Sequence, residues 1–327
     1  MEDFGKWFFG ESSNLTGSCL SRAAAFFAEG QGMRFRMELQ ILALHRRETR
    51  RDALRFLVAH QEYHPKLGPM LWNTCNTVFV LLQEVFSAFP MLKVQSVTMA
   101  AAERASNALI LIKCAASHRD AKRLLVNAEI QEYLYAILKT THRDEPHDRL
   151  KLRSLEVINK LLEEGDEETV LALAEARMVL YCLRAILASP ISAKEVAALV
   201  LQRILMNESG MKCCCRPICQ FIMIARALTF TVEERSIVLS RQLLRRIAAC
   251  FLCLSKHPRA LEVLHDCLPM RLGDPYISNL IQAEPIAWEI LREAAANLTG
   301  GRRGHRHVEP RVLRFGPIGK PPGTWVN

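Results

Sequence analysis

The sequence predicts an all-α protein built as an armadillo/HEAT-like right-handed superhelical repeat stack, and three features support this. Apolar residues recur at helical spacing through most of the chain, no segment shows the alternation of a β-strand, and one helical unit returns at a fixed interval. The pair Leu109/Ile112 returns as Leu155/Ile158, Leu201/Ile204 and Ile247/Cys250, each step being 46 residues. A period in the forties that contains only helices is typical of armadillo and HEAT repeats.

A polar break separates the repeated units and recurs in the same register. It falls at Ser117, Glu163, Ser209 and Ser255. We expect Ser117 to cap the helix that follows it, because serine hydroxyls accept from free amides at a helix start. The acidic run 163–168 suits the next helix N-terminus, which attracts negative charge.

Upstream of the repeats, the periodicity predicts a first helical pair over 34–45 and 48–60. A long helix is then expected from Leu67 to about Phe89, with Pro90 closing it, and another over 95–116.

Three regions follow from composition. We divide the chain into a flexible N-terminal extension (1–33), an armadillo-like helical repeat domain (34–298) and a disordered basic Pro/Gly-rich tail (299–327). An organellar transit peptide is the alternative for the extension, although acidic residues weaken it. The net charge is +9, and from Gly300 onward six Lys and Arg residues oppose only Glu309. The repeat domain is therefore mildly basic, which allows RNA or acidic partners without requiring them.

Several function classes are excluded by what the sequence lacks. There is no phosphate-binding glycine loop, no HExxH and no GxSxG, so we expect no enzyme and no cofactor. No secretory signal and no run of 18 apolar residues is present, so no membrane span is expected. The 11 cysteines are interpreted as reduced thiols.

Four groups of chemically capable residues are interpreted as structural. Cys213, Cys214, Cys215 and Cys219 suggest zinc, but three are consecutive and no C-x-x-C pair has a partner, so helix thiols are favoured. The other three groups are surface histidines (His60, His64), a solvated acidic loop (Asp144, Glu145, Asp148) and a buried tryptophan (Trp72, one turn from Asn76). The last pair occurs once, whereas nuclear-import adaptors repeat it as a ladder.

Two basic clusters are candidate nucleic-acid contacts. Each has helical spacing and presents guanidinium groups that bind phosphates, although surface Lys and Arg more often serve solubility. The clusters are Arg47, Arg50 and Arg51, and Arg241, Arg245 and Arg246.

Several strings together resemble one family. They are GPMLW (68–72), LLQEV (81–85), SNALILIKCAASH (106–118), RSLEVINKLL (153–162), VAALVLQRILMNESG (196–210) and FLCLSKHPRALEVLHDCLP (251–269). In this order and spacing they resemble the "required for cell differentiation" (RCD-one) proteins, which form armadillo-like subunit nine of the CCR-NOT deadenylase complex. The resemblance covers about residues 37–272 and leaves out both ends.

The resemblance implies a non-catalytic adaptor. Such a subunit docks on the large scaffold subunit of the complex and recruits regulators of mRNA decay and translational repression through short helical or Trp-containing peptides. Some family members bind nucleic acid, so an RNA or DNA binder that uses the basic helix faces and tail is the alternative. The expected location is the cytoplasm, including P-bodies, and the nucleus. Whether the protein forms a homodimer is left open by the sequence.

The resemblance also implies a peptide groove. Its candidate residues are Val196, Ala197, Leu201, Ile218, Gln220 and Phe221. One departure stands out, because the family commonly carries Glu-Arg-Phe, sometimes preceded by Tyr, in a tryptophan-accepting pocket. Here Gln220 replaces the arginine and Ile218 stands where the tyrosine is found. Without these stacking groups the pocket should hold an indole less tightly, as expected of a diverged paralogue.

Overall fold

The fold is described from a computed structural model, which places residues 32–94, 96–163, 167–174, 176–216, 218–234, 239–257, 264 and 284–300. In these ranges the chain forms helices joined by turns and short loops, and no strand occurs in them, which confirms the all-α prediction. The expected N-terminal extension and tail lie almost wholly outside the described residues. Helix already covers 32 and 33, and the last described helix continues to Gly300.

Sixteen α-helices are described, and most group in threes. The opening helices are α1 (32–43) and α2 (Arg47–Ala59), followed by a 3₁₀ turn at Gln61–Tyr63. The first group is α3 (Leu67–Asn73), α4 (Thr77–Phe86), the short α5 (Phe89–Lys93) and α6 (Met99–Ala115). The second group is α7 (Arg119–Asn127), α8 (Ile130–Leu138) and α9 (Glu145–Leu162). The third group is α10 (Glu167–Leu173), α11 (Ala176–Ala188) and α12 (Ile191–Met206). The fourth group is α13 (Glu208–Cys215), α14 (Ile218–Glu233) and α15 (Arg241–Ser255), and α16 (Pro285–Gly300) follows.

Each group ends in a long helix, which is called its third helix although the short α5 makes α6 the fourth helix of the first group. This helix packs against the one that ends the next group. The row runs α6, α9, α12, α15 and ends on α16. The preceding helices form parallel rows, since α11 contacts both α8 and α14, and α10 contacts α7 and α13. Each group thus buries its apolar faces against its neighbours, as expected of a repeat stack.

The residues that recur every 46 positions form part of the core of the stack. Each member of the recurring pairs lies on a third helix and is at most 1% exposed. The breaks are less regular than predicted. Ser117 and Glu163 lie outside the helices, but Ser209 is the second residue of α13 and Ser255 is the last residue of α15. Helix ends drift because local capping sets them, whereas core positions are held by packing on both neighbours.

The predicted capping by Ser117 is wrong. Its hydroxyl donates back to the Cys114 carbonyl at 2.7 Å, and His118, which makes no side-chain cap bond, occupies the N-cap of α7. By contrast, the prediction that the acidic run precedes a helix N-terminus is confirmed for its described residues, because Glu167 and Glu168 lie in the first turn of α10.

The long helix predicted from Leu67 to Phe89 is instead two helices. They bend by 95° at the Thr74–Asn76 break. Asn76 has φ 61°, a left-handed conformation that Asn tolerates better than most residues and that ends a right-handed helix. Pro90 does not close a helix either. It lies in the first turn of α5, where its missing amide hydrogen breaks no helical bond.

An ion trio centred on the buried Glu84 ties α2 and α6 to α4. Glu84 of α4 is 4% exposed and accepts from Arg50 Nη1 at 3.0 Å. Arg104 of α6 donates to the second oxygen of Glu84 from Nε at 3.0 Å and from Nη2 at 2.6 Å. Because both carboxylate oxygens are used, the charge of Glu84 is compensated inside the stack.

Candidate peptide-binding face

The solvent-facing side of α6, α9, α12 and α15 is called the third-helix face below. On α12 this side carries the half-buried Val196 and Leu199 and the 67% exposed Met206. Their spacing of three and seven residues puts them on one side of a helix. Ala197 and Leu201, on the opposite side, are fully buried. α12 therefore presents these three apolar side chains, called the apolar strip below, to solvent beside the half-buried Gln202 and Arg203, while its other side completes the core.

The six predicted groove residues do not form one surface. Val196 lies on the third-helix face, whereas Ile218, 44% exposed, begins α14. α14 packs on α11 and α15, and among the described residues it makes no substantial contact with α12. Ala197, Leu201 and Phe221 are at most 1% exposed, so they support the surface from inside.

Gln220, placed by the resemblance where a pocket arginine is expected, is buried. It is 6% exposed, and its Nε2 has no hydrogen-bond partner. The neighbouring Phe221 ring lies 6.5 Å from the His257 ring. Position 220 thus points inward, and Ile218 and Cys219 are the side chains of this segment that reach solvent.

Polar contacts between adjacent third helices border the apolar strip. Glu195 of α12 accepts from the Ser240 hydroxyl at the start of α15. With its amide oriented to satisfy both neighbours, Gln242 donates to Glu195 at 3.2 Å and accepts from Arg246 at 2.9 Å. Burial lowers the pKa of Arg246. This edge of the strip is held by hydrogen bonds that join two repeats.

The candidate nucleic-acid-binding arginines differ in solvent exposure and in whether they already pair with a carboxylate. Arg47, Arg51, Arg241 and Arg245 are exposed. Arg50 is not available, which corrects its place among the candidates. It belongs to the ion trio, its side chain is 12% exposed, and its Nε donates to the Leu44 carbonyl at 2.7 Å. The two clusters lie on α2 and α15, at opposite ends of the row.

The cysteine cluster is divided between two helices. Cys214 and Cys215 are buried in α13, Cys213 is half-buried, and Cys219 is exposed on α14. Burial raises the pKa of Cys214 to about 12 and that of Cys215 to about 11, so both are thiols at neutral pH. In the described ranges, no three His, Cys, Asp or Glu residues are placed to hold a metal ion.

Three minor interpretations need correction. His60 and His64 are half-buried rather than on the surface, and His60 Nδ1 lies 2.8 Å from the Phe56 carbonyl. The predicted acidic loop is instead the start of α9: Glu145 and Asp148 lie in its first turn, and Asp144 caps it by accepting from the His147 amide at 3.0 Å. This bond is the main reason that its pKa is lowered.

Trp72 is half-buried rather than buried, and its ring stacks on His118 at 6.1 Å. Asn76 lies beyond the bend that ends α3, so the two do not share one helix turn.

A polar cleft of about 380 Å³ lies where the C-terminal ends of α6 and α9 meet the chain before α3, and sequence reasoning did not find it. Its walls are Gln61, His64, Pro65, Leu67, Gly68, Lys113, Cys114, Ser117, Glu156, Asn159, Lys160 and Glu163. Lys113 and Glu156, 43 residues apart, form an ion pair of 3.2 Å across two adjacent third helices. Such a separation, close to the repeat length, is the signal in the sequence that could have revealed this pair.

Taken singly, none of the described helices is long and apolar enough to cross a membrane.

The row of third helices, with their outward face, defines an armadillo-type repeat protein. Two solved structures support that class. A crystal structure of an engineered protein aligns over 81% of this chain and 99% of its own, with a TM-score of 0.51 and 14% identity. Computationally designed armadillo repeat proteins for modular peptide recognition align over 80% of this chain and 98% of their own, with a TM-score of 0.50 and 14% identity. At this identity the likeness shows the fold alone.

The particular family follows from sequence similarity. The cell differentiation family, Rcd1-like, matches residues 40–298, and the chain belongs to this family. The cell differentiation protein rcd1 of Schizosaccharomyces pombe is 30% identical over 251 residues, which are 77% of this chain and 89% of that protein. Protein CAF40 of Saccharomyces cerevisiae is 31% identical over 232 residues, 71% of this chain but only 62% of the yeast protein. The family predicted from the sequence strings is confirmed.

Proposed function

We propose that the protein is a non-catalytic adaptor of the CCR-NOT deadenylase complex, acting in mRNA deadenylation, decay and translational repression. The observation that carries the proposal is the Rcd1-like family match over 40–298. The adaptor docks on the large scaffold subunit and works in the cytoplasm, including P-bodies, and in the nucleus.

Recruitment of regulators is assigned to the third-helix face around α12. Its apolar strip, Val196, Leu199 and Met206, has the spacing that an amphipathic peptide helix needs in a partner surface. Polar contacts between α12 and α15 join the two helices beside this surface, so it is formed before a peptide binds. A preformed surface costs less ordering entropy on binding.

The test is affinity purification of the tagged full chain from cells, followed by mass spectrometry. Wild type is compared with Val196→Glu, which places a charge on the apolar strip, and with Val94→Glu as the matched control. Val94 is 71% exposed and follows α5, which is not one of the third helices. The scaffold subunit should be recovered with all three proteins. Val196→Glu alone should lose proteins that carry helical peptide motifs. A wild-type purification without the scaffold subunit would overturn the proposal.

Binding of Trp-containing peptides should be weak. The segment that replaces the expected Arg and Tyr presents Ile218 and Cys219 to solvent and no aromatic or guanidinium group, because Gln220 and Phe221 are buried. Calorimetric titration with a Trp-containing peptide measures this directly. Affinity equal to that of an Rcd1-like relative with the Glu-Arg-Phe triplet would contradict it.

A second candidate function is direct nucleic-acid binding, favoured by the exposed Arg241 and Arg245 of α15. Neither guanidinium has a carboxylate within ion-pair distance among the described contacts. Contacts to phosphates release counterions, so RNA affinity should fall steeply with added salt, whereas apolar peptide docking should not. A flat salt dependence would exclude this candidate.

A further inference from the structure

The first described helix, α1, is apolar on two opposite sides. Met37 and Ile41 face the stack and are at most 1% exposed. Phe35, Leu39 and Leu42 share the other side, at spacings of four and three residues, and are 62%, 47% and 59% exposed. A helix that is apolar all round is normally buried on every side. No described residue covers this second side, which is called the outer face of α1 below.

The outer face of α1 lies at the N-terminal end of the stack, where a repeat protein needs a polar surface. Stacking leaves one apolar face bare at each end, and a capping element with a polar outer side is required there for solubility. At the opposite end α16 packs on α15 and exposes Glu289, Arg292 and Glu293. A comparable cover is therefore expected over α1.

The spacing of the helices indicates a further helix before α1. The described part of α1 begins at 32 and α2 at 47, a step of 15 residues, and the same step separates α8 from α9 and α11 from α12. α2 also packs on α6, as each third helix packs on the next. α1 and α2 therefore correspond to the second and third helices of a group. In all four groups the first helix begins 9 to 11 residues before the second, which puts the start of the corresponding helix at 21 to 23.

The segment just before α1 has the pattern of such a helix. Four apolar residues recur in it at i, i+3, i+4 and i+7, the spacing of one helical side. They are Leu20, Ala23, Ala24 and Phe27. Arg22 lies on the opposite side, which would face solvent. Nine residues of helix span about 13 Å, enough to cover the outer face of α1, which spans about 10 Å from Phe35 to Leu42.

We propose that residues 20–28 form a helix that folds back antiparallel on the outer face of α1 and caps the N-terminal end of the stack. Only residues 29–31 link this segment to the described part of α1, and loops of about two to five residues join antiparallel helices. A turn centred on Gly30 sets residues 20–24 opposite Leu39. A segment tethered this closely has a far higher effective concentration than a second copy of the chain. The inference goes beyond the adaptor function and does not depend on it.

The test identifies what touches the outer face of α1 by photocrosslinking of the full chain. Leu39→p-benzoylphenylalanine keeps an apolar side chain there, and its photoactivated ketone inserts into C–H bonds in contact with it. Leu39 is 47% exposed, so the change removes no core packing. Crosslinked protein that migrates as a monomer is cleaved after glutamate, and tandem mass spectrometry locates the attachment between peptides 12–29 and 39–48. Val94→p-benzoylphenylalanine, at a 71% exposed position after α5, is the matched control.

The probe at position 39 should attach to residues 20–24 of its own chain, in a yield about tenfold above that of the probe at position 94. Combined with the first probe, Phe27→Asp should lower this yield by about tenfold, because a carboxylate on the apolar side of the segment opposes burial. Arg22→Asp changes a charge on the opposite side and should leave the yield unchanged. Both substitutions lie outside the described stack, so they remove none of its described core contacts.

Three results would overturn the proposal. A crosslinked dimer as the main product would assign the outer face of α1 to a second copy of the chain. Attachments spread evenly over 12–29 and unaffected by Phe27→Asp would show a segment that is near the face but not docked on it. No attachment at all would show that the segment does not cover the face. The experiment involves neither Val196 nor the scaffold subunit, so its failure leaves the adaptor function untouched.

Discussion

Glu84→Gln should destabilise the stack more than any exposed charge substitution. The change keeps the shape of the side chain but removes the charge that holds Arg50, whose side chain is 12% exposed, and Arg104, which is 44% exposed. Removing one partner of a buried ion pair typically costs about 3–5 kcal/mol. Only the Arg50 half is buried here, and solvent screens the Arg104 half, so we expect about 3 kcal/mol.

That loss is a large share of the roughly 5–15 kcal/mol that stabilises a typical domain. Urea unfolding followed by far-UV circular dichroism should show a clearly lower midpoint. Glu103→Gln is the matched control, because Glu103 pairs with Arg55 on the same helices but at the surface. It should leave the midpoint nearly unchanged.

Replacing the whole trio, as in Arg50→Met/Glu84→Leu/Arg104→Met, removes the stranded charge together with its partners. This variant should unfold at a higher urea concentration than Glu84→Gln alone. Equal midpoints for Glu84→Gln and Glu103→Gln would refute the assignment of Glu84 as a buried tie between α2, α4 and α6.

Two further predictions concern single residues. Glu129, with φ 53°, holds a left-handed conformation that glycine adopts without strain. Glu129→Gly should therefore raise the free energy of unfolding by about 1 kcal/mol, whereas Asn76→Gly should change it little, because Asn tolerates this conformation. A lower free energy of unfolding for Glu129→Gly would contradict this. Burial raises the pKa of Cys214 from 9.0 to about 12. The folded state therefore holds this proton more tightly than the unfolded state, and its contribution to stability is complete below pH 9.0 and lost as the pH rises toward 12. Cys214→Ala should weaken the alkaline fall in stability measured by denaturation at several pH values; an unchanged slope would argue against the buried thiol.

The repeat length and core positions could be predicted because both are periodic in sequence. Leu155, Leu201 and Ile247 are buried at the expected 46-residue steps. A position that packs on both neighbouring repeats must stay apolar in each of them, so the periodicity survives in the sequence. Family membership followed from strings dominated by such positions.

Helix ends and exposed groups were less predictable. The bend at Asn76 interrupts a run of apolar residues that reads as one helix, since a left-handed residue leaves no periodic mark. Gln220 and Phe221 were expected to line a pocket and are buried, while Ile218 is exposed. Which side of α14 faces inward depends on how α11 and α15 meet it, and that is a property of the stack.

The sequence by itself determined the helical class, the repeat and its core, because burial on helical faces dictates residue type at each position. Only the tertiary structure decided which charges are free. Arg50 and Arg51 are adjacent and chemically identical, yet one is committed to Glu84 and the other is exposed. The cleft of Lys113 and Lys160 likewise exists only where two repeats pack. Ion pairing and cleft shape arise from contacts between distant residues, and a linear pattern does not record them.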